Sequence, residues 1–403
     1  MTTITKRIRV NESDVVSVVT MPNNPSSSLR AADKIGSCDD LITEIMLRLP
    51  EISLIRFKSV SKRWYSLISD PTFNQLFQKH NPNPPASGLY ALVKNPQKQH
   101  HYFIPFDVEN RSRALNLNLN FDPDDLGTTR VVHSCNGLTL CSRQFWNGKV
   151  FTIDDCYVCN PTINQFTMLP KHEIFNENYR CGMTLAFDPW KSPYYKIVSV
   201  RNIGKDDYSI GIYNSQTYSW KDSCRCTFAF RVSRPLNTTP GVYWNNAFHW
   251  LRQKYLIYFN LDEEVVRTIP TSFRCASSHN MFESRDHLLF VERDSSFSWK
   301  LKIHELKRDY SEWIVKYHVD LHQIGPSFPE ALDYGLIRFR VLSVVLGEKE
   351  EDESFFVLSI GDAVVRFNLV AETFYKLPNF IAHTKLVSEF PHACQFIASL
   401  CSV

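Results

Sequence analysis

Eleven cysteines and 13 histidines are scattered through the 403 residues, and few of their spacings suggest chemistry. Cys156-x-x-Cys159 is half of a zinc knuckle, and Cys224-x-Cys226 is a poor second half. Residues three apart on a β-strand point to opposite faces, so Cys156 and Cys159 are not expected to converge on a metal. His100-His101 lacks a third ligand at helical spacing. The adjacent carboxylates Asp154-Asp155 and Asp206-Asp207 stand in turn-like sequence, where they cap or solvate rather than act as an acid–base pair. No dinucleotide or phosphate-loop glycine pattern occurs, the 13 glycines leave little room for one, and the nucleophile-elbow pattern is absent. The expectation is a protein with no catalytic residues, no metal and no cofactor, working by binding.

The bulk composition sets the frame for that binding. A chain of 403 residues exceeds one ordinary core, so two domains are expected. Hydrophobic residues at 43% and charged residues at 22% fit a globular protein, and 28 Phe, 17 Tyr and 8 Trp lean toward strands. A net charge of +3 implies no basic field large enough for nucleic acid. No run of about 18 apolar residues is present to span a membrane. Lys6, Arg7 and Arg9 have no apolar core behind them, and Val15 to Val19 is interrupted by Ser17, a poor signal peptide. The odd, dispersed cysteines then read as reduced thiols in the cytoplasm or nucleus.

Residues 1–36, with Asn23, Asn24, Pro25 and three serines, have the composition of a disordered leader. From Asp39 the pattern becomes helical: the acidic pair Asp39-Asp40 suits a helix N-terminus, Leu41, Ile42, Ile45, Met46 and Leu49 follow at helical spacing, and Pro50 stops the run. A second helix is expected from Ser53 with Leu54, Phe57 and Val60, and a third, capped by Ser61, with Trp64, Leu67 and Ile68. Asp70-Pro71 pairs a cap with proline at the first helical position, opening a fourth with Phe73, Leu76 and Phe77. Asn81-Pro82-Asn83-Pro84-Pro85 is a stiff spacer, and 81–87 reads as a linker.

Beyond residue 87 short apolar runs alternate with turn-rich segments, and a hairpin repeat can be counted. Asn160 is followed at +6, +9 and +10 by Phe166, Leu169 and Pro170, Asn260 by Val266, Ile269 and Pro270, and Asn368 by Phe374, Leu377 and Pro378. Asn214 keeps only the +6 aromatic, Trp220, and looser copies begin at Asp107 and at Leu306 with Trp313 seven residues on. The unit is an apolar strand ending at Asn, a polar turn, and a second strand expected to bury its +6 residue. Anchors at 107, 160, 214, 260, 306 and 368 fit propeller blades of roughly 40–50 residues plus insertions. Six blades over 88–403 are expected, with Gln395 to Val403 as the strand that closes the ring. An irregular β-sandwich is the alternative.

The stretch Asp39-Asp40-Leu41-Ile42-Thr43-Glu44-Ile45-Met46-Leu47-Arg48-Leu49-Pro50, continuing through Ser53 to Trp64 and on to Phe73, resembles an F-box (assigned to 37–80) without a gap. The family usually opens with Leu-Pro before the acidic pair, where this chain has Ser37-Cys38. The remainder resembles the kelch-like F-box-associated domain of plant F-box proteins. It does so at Ser134-Cys135-Asn136-Gly137-Leu138, Cys159-Asn160-Pro161-Thr162, Leu185-Ala186-Phe187-Asp188-Pro189, Ile212-Tyr213-Asn214-Ser215, Gly241-Val242-Tyr243-Trp244, His249-Trp250-Leu251 and Phe259-Asn260-Leu261. The fold class is therefore α+β multidomain, a small all-α F-box followed by an all-β propeller-like domain of about six blades.

The resemblance implies a substrate-recognition subunit of a ubiquitin ligase, in which the F-box holds a Skp-type adaptor, a cullin and a RING subunit follow indirectly, and the propeller holds a target protein. The adaptor anchors it nominates are Leu41, Ile42, Ile45, Leu49, Pro50, Leu54, Val60 and Trp64, while Phe57, Leu67 and Ile68 are read as holding the helices together. The Trp and Tyr residues of the repeats are read as blade core, and Asn178 to Cys181, Lys205 to Tyr208 and Glu348 to Glu353 as exposed tips. The alternatives are a scaffold that binds the adaptor without causing degradation, or a glycan-binding or catalytic propeller.

Overall fold

The computed structural model describes residue 36 and residues 38–94, 99–106, 128–146, 151–171, 181–204, 207–227, 241–275, 280–293, 295, 297–333, 336–348, 353–361, 363–377, 385–386 and 393–403. Most of the expected leader, Ser37, the repeat anchor Asp107 and Pro378 lie outside the described residues, as do parts of all three expected tips. The chain divides into two compact units, residues 1–48 and residues 49–403.

The first unit contributes α1 (Asp39–Met46), with Asp39 and Asp40 in its first turn and Ile42 and Met46 buried. The second opens with α2 (Glu51–Phe57), α3 (Lys62–Ser69) and α4 (Pro71–His80). α2 starts two residues before Ser53, directly after Pro50, whose fixed φ suits the position before a helix. The caps are those the sequence promises: the Ser61 hydroxyl accepts from the Trp64 N–H, and the Asp70 carboxylate accepts from the Thr72 N–H ahead of Pro71. The Thr72 bonds hold the Asp70 carboxyl below its ordinary pKa.

The strands form six blades. β1 (Gly88–Lys94) and β2 (Gln99–Pro105) belong to the first. β3 (Thr128–Cys135), β4 (Leu138–Trp146), β5 (Phe151–Asn160) and β6 (Gln165–Met168) make the second. β7 (Cys181–Ala186), β8 (Lys196–Asn202), β9 (Asp207–Asn214) and β10 (Ser219–Thr227) make the third. β11 (Val242–Trp244), the long β12 (Ala247–Asn260) and β13 (Val265–Cys275) form the fourth. β14 (Met281–Ser284), β15 (His287–Arg293), β16 (Lys300–Leu306) and β17 (Trp313–Asp320) form the fifth. After two short 3-10 turns, where Ile324 and Phe328 are buried, a two-stranded ribbon of β18 (Leu332–Asp333) and β19 (Leu336–Ile337) precedes the sixth blade. That blade is β20 (Phe339–Val345), β21 (Phe355–Ile360), β22 (Ala363–Asn368) and β23 (Phe374–Lys376). The chain then returns to the first blade through β24 (Lys385–Leu386) and β25 (Ala393–Phe396), both antiparallel to β1. The innermost strands neighbour one another in the cyclic order β25, β3, β7, β11, β14, β20 and back to β25, which closes the ring at six blades.

The closing strand is thus Ala393–Phe396, not Gln395 to Val403. Residues 397–403 are not strand, because their polar groups bond across to other elements instead of along β1.

Near the axis, side chains fasten blade to blade at four of the six junctions. His133 Nδ1 accepts from the Leu185 N–H, Thr184 Oγ1 from the Gly241 N–H, and Ser284 Oγ from the Leu346 N–H, while Gln395 donates to Ser343 Oγ and the Val344 carbonyl. Burial pushes the His133 pKa down to about 4, which keeps Nδ1 an acceptor.

The counted repeat is the hairpin that leads into the outermost strand of a blade. Each Asn side-chain oxygen accepts a backbone N–H two residues on: Asn160 from Thr162, Asn214 from Gln216, Asn260 from Asp262, and Asn368 from Val370, all at 2.9 Å. This Asx turn explains why Asn recurs there. The expectation that the +6 residue is buried fails. Phe166 keeps 51% of its surface exposed, and Val266 and Phe374 are only half-buried. The outermost strand is a sheet edge with one neighbour, and Leu169 and Leu377 at +9 enter the core instead.

Candidate functional site

Two ends of the ring differ in what covers them. The strand pairings place the ends of the innermost strands, the turns after them and the Asn hairpins at one mouth. At this mouth Asn136 and Gly137 both adopt positive φ in a two-residue turn, and a Cβ on Gly137 would lie 2.1 Å from Ser399 Cβ. Only glycine lets residues 397–403 pass so closely. That segment is wedged between blade and helix: Asn160 Nδ2 donates to the carbonyls of Ser399 and Cys401 at 2.9 and 2.7 Å, and Gln78 Nε2 of α4 donates to Cys401 Sγ at 2.9 Å. Trp190, after β7, donates from Nε1 to the Gln78 carbonyl at 3.1 Å. Leu400 and Cys401 are buried.

On the same side a cavity of about 820 Å³ runs under the 81–87 segment, with Phe103, Phe106, Val345 and Phe355 on one wall and Pro50, Glu51 and His80 on the other. Burial raises the Glu51 pKa. Arg366 lines this cavity, stacked 3.6 Å from the Phe355 ring centroid and donating to the Phe106 carbonyl. No local pattern marks this wedge, because its partners lie 239 to 323 residues apart along the chain.

The nominated anchors fall into two sets. In the first unit Leu41 and Ile45, one helical turn apart, are exposed by 47% and 52%, whereas Ile42 is buried. In the second unit Val60 and Pro50 are exposed, Leu49 is half-buried, and Trp64 is half-buried with its ring edge-on to Phe57 at 5.0 Å. Leu54 and Ile68 are both fully buried, so the Leu54 side chain serves packing in this state. Tyr65 and Leu76 are exposed apolar residues that sequence reasoning did not single out. Of the repeat aromatics, Tyr213, Trp244 and Trp250 are blade core, as expected.

Cys156 and Cys159 face opposite sides of the second blade, in separate apolar clusters. Asp155 is engaged by Arg143 at 2.7 Å, and Asp207 accepts from the Thr227 hydroxyl. Among the described residues, no three His, Cys, Asp or Glu side chains are placed to hold a metal ion, and no helix is long and apolar enough to cross a membrane.

Comparison with known families matches residues 38–76 to the F-box domain and residues 97–403 to the F-box associated beta propeller domain. The chain belongs to the F-box-associated β-propeller family. It carries the plant F-box architecture, helices first and a six-bladed propeller after them. An F-box protein of Arabidopsis thaliana, At5g07610, is 29% identical over 94% of this chain and 96% of its own length. A second, the putative F-box protein At3g16210 of the same plant, is 27% identical over 58% of this chain and 59% of its own. The architecture is that of a substrate adaptor, with an F-box and a binding domain in one chain.

Proposed function

We propose that this F-box protein is the substrate-recognition subunit of an SCF-type cullin–RING ubiquitin ligase. The observation that carries the reading is an F-box directly followed by a six-bladed propeller in one chain. The F-box takes a Skp-type adaptor, through which the cullin and RING subunit are reached, and the propeller takes the target protein. The chain supplies no chemistry of its own. Holding a target lysine beside a ubiquitin thioester turns a bimolecular encounter into a nearly intramolecular one, with effective concentrations of about millimolar or higher.

Leu41, Ile45, Leu49, Pro50, Val60 and Trp64 are the residues we assign to the adaptor groove, since each keeps accessible surface. Ile42 and Leu54 are buried, each within its own unit, and are not assigned to it. The wedge of residues 397–403 supports the reading in a further way, because it fixes α4 to the propeller, as a bridge between adaptor and target requires.

Calorimetry with a recombinant Skp-type adaptor tests this. The unaltered chain is expected to bind, and Leu49→Ala with Pro50→Ala to weaken binding by about 2–4 kcal/mol, tens- to several-hundred-fold. A folded, unaltered chain that fails to bind the adaptor would refute the proposal. Adaptor binding without ubiquitination of any captured protein would favour a non-degradative scaffold.

A further inference from the structure

Each of the four Asn hairpins turns through one residue in the left-handed region, four places after its anchor. Asn164, Tyr218, Glu264 and Glu372 hold that place in the second, third, fourth and sixth blades. Tyr310, four after Leu306, holds it in the fifth, and φ lies between 50° and 63° at all five. Backbone of this kind is strained for any residue but Gly or Asn, so a bulky side chain there calls for a compensating contact.

Four of the five have such a contact or need none. Asn164 tolerates the conformation. Glu264 holds Lys221 and accepts from the Ser223 hydroxyl, and the Glu372 carbonyl accepts from Gln323. Tyr310 lies nearly parallel to Tyr258, ring centroids 4.6 Å apart. Burial pushes the His249 pKa down to about 4, so its Nδ1–H donates to the Val242 carbonyl and Nε2 accepts from the Tyr310 hydroxyl at 3.0 Å. Tyr218 has nothing comparable. It keeps 72% of its surface exposed, and among the described residues its ring meets no other ring and its hydroxyl makes no hydrogen bond.

Tyr194, 47% exposed, stands on the adjoining turn between β7 and β8, likewise without a ring partner among the described residues. Two bonds lock this turn to the Tyr218 hairpin: the Tyr195 N–H donates to Ser215 Oγ at 2.9 Å, and the Ser215 N–H to the Tyr195 carbonyl at 3.0 Å. The fully buried Tyr213 packs on Tyr195 and Trp220, with centroids 6.2 and 5.4 Å away. The two exposed rings are thus carried on fixed backbone, with little freedom left to lose on binding. Residues 187–195 and 214–219 are all described, and their only charged side chains, Asp188 and Lys191, pair with each other at 2.7 Å. What these turns offer a partner is ring face and hydroxyl rather than charge.

We infer that Tyr194 and Tyr218 form a docking surface for the target protein on the third blade, and that its occupant is an extended segment carrying an aromatic side chain. The inference rests on the proposed role as a target receptor and names the place and the chemistry of what is held there. Tyr310 indicates that chemistry, because the same place in the fifth blade is filled by a near-parallel ring with an acceptor for the hydroxyl. Exposed tyrosines on an uncharged rigid base suit such a partner, since ring pairs add to the burial of area. Trp190, on the Tyr194 turn, donates to the Gln78 carbonyl of α4, so the occupant sits on the side of the ring that carries α2 to α4.

The test selects random peptides displayed on phage against the whole chain and measures the recovered peptides by fluorescence anisotropy. They are expected to share an aromatic position, whose replacement by Leu weakens binding roughly tenfold or more. Tyr218→Asn places a residue suited to the left-handed region. It should weaken binding by roughly ten- to a hundredfold and leave the melting temperature unchanged or higher. Tyr218→Phe should keep most of the affinity. Tyr310→Asn, at the equivalent place, should lower the melting temperature and leave peptide binding intact, because its ring is already engaged within the fold.

The inference is overturned if no peptide is recovered, if the recovered peptides share charged rather than aromatic positions, or if they bind Tyr218→Asn as tightly as the unaltered chain. It is also overturned if Tyr218→Asn lowers the melting temperature as Tyr310→Asn does, since the ring would then belong to the fold. Binding of chitotriose that Tyr218→Asn abolishes would overturn it in favour of a carbohydrate surface. Adaptor capture by the same variants keeps the two readings apart. Intact capture without Tyr218-dependent peptide binding removes only this inference, and Tyr218-dependent binding without capture removes only the ligase role.

Discussion

Glu283 is next to last in β14, the innermost strand of the fifth blade, and replacing it by glutamine should stabilise the protein at neutral pH. Burial raises its pKa from 4.5 to about 7, against the opposing effect of the Asp286 N–H, which donates to Oε1 at 2.9 Å; the Asp286 carboxylate raises the pKa further and His287 lowers it. A carboxyl with a raised folded-state pKa binds more protons in the folded than in the unfolded chain between those two values. Stability therefore falls as pH rises from about 4.5 to about 7 and is flat above. At about 1.4 kcal/mol per unit, the penalty at pH 8 reaches about 3 kcal/mol, an upper bound because Glu283 keeps some accessible surface. Glu283→Gln retains an oxygen to accept the Asp286 N–H and removes the charge. Urea unfolding across pH 4 to 8 should show the variant about 1–3 kcal/mol more stable at pH 8 and nearly equal at pH 4. A variant equal to or weaker than the unaltered chain at pH 8, or a difference constant with pH, would refute the reasoning.

Two further outcomes follow from the hairpins and the wedge. Asn260→Ala removes the acceptor for both the Asp262 and Glu263 N–H groups and should cost about 1–2 kcal/mol in urea unfolding, with Asn260→Asp, which keeps the acceptor, costing less. Deleting residues 397–403 uncovers the site of buried Leu400 and Cys401 and strips Asn160 and Gln78 of partners. The expected loss is roughly 2–4 kcal/mol, with faster limited proteolysis within 81–87.

The parts of this fold that were legible in the sequence are those set by neighbours in the chain. Ser61 and Asp70 announce helix starts because their oxygens bond N–H groups two or three residues on. The Asn anchors are visible at 160, 214, 260 and 368 for the same reason. The Phe166 expectation failed because burial of an edge-strand residue depends on the adjoining blade, which no local pattern encodes. The wedge at Gln78, Asn160 and Cys401 was invisible for its sequence separation. For the F-box, helical spacing found the apolar positions but could not divide them: Leu41 and Ile45 keep their surface while Ile42 between them loses it.

The first blade joins β1 to a strand some 300 residues later, and this has a consequence for synthesis. A ribosome delivers Gly88–Lys94 early, but the partner Ala393–Phe396 arrives only after five other blades have emerged. Until then β1 offers an open edge, the kind of surface that chaperones and misfolded neighbours capture. The seven residues that follow β25 then seat α4 against the finished ring through Cys401 and Ser399. A chain interrupted before Ala393 would lack both the latch and the wedge, so its helices would not be braced to the propeller. The order of assembly thereby acts as a check on completeness.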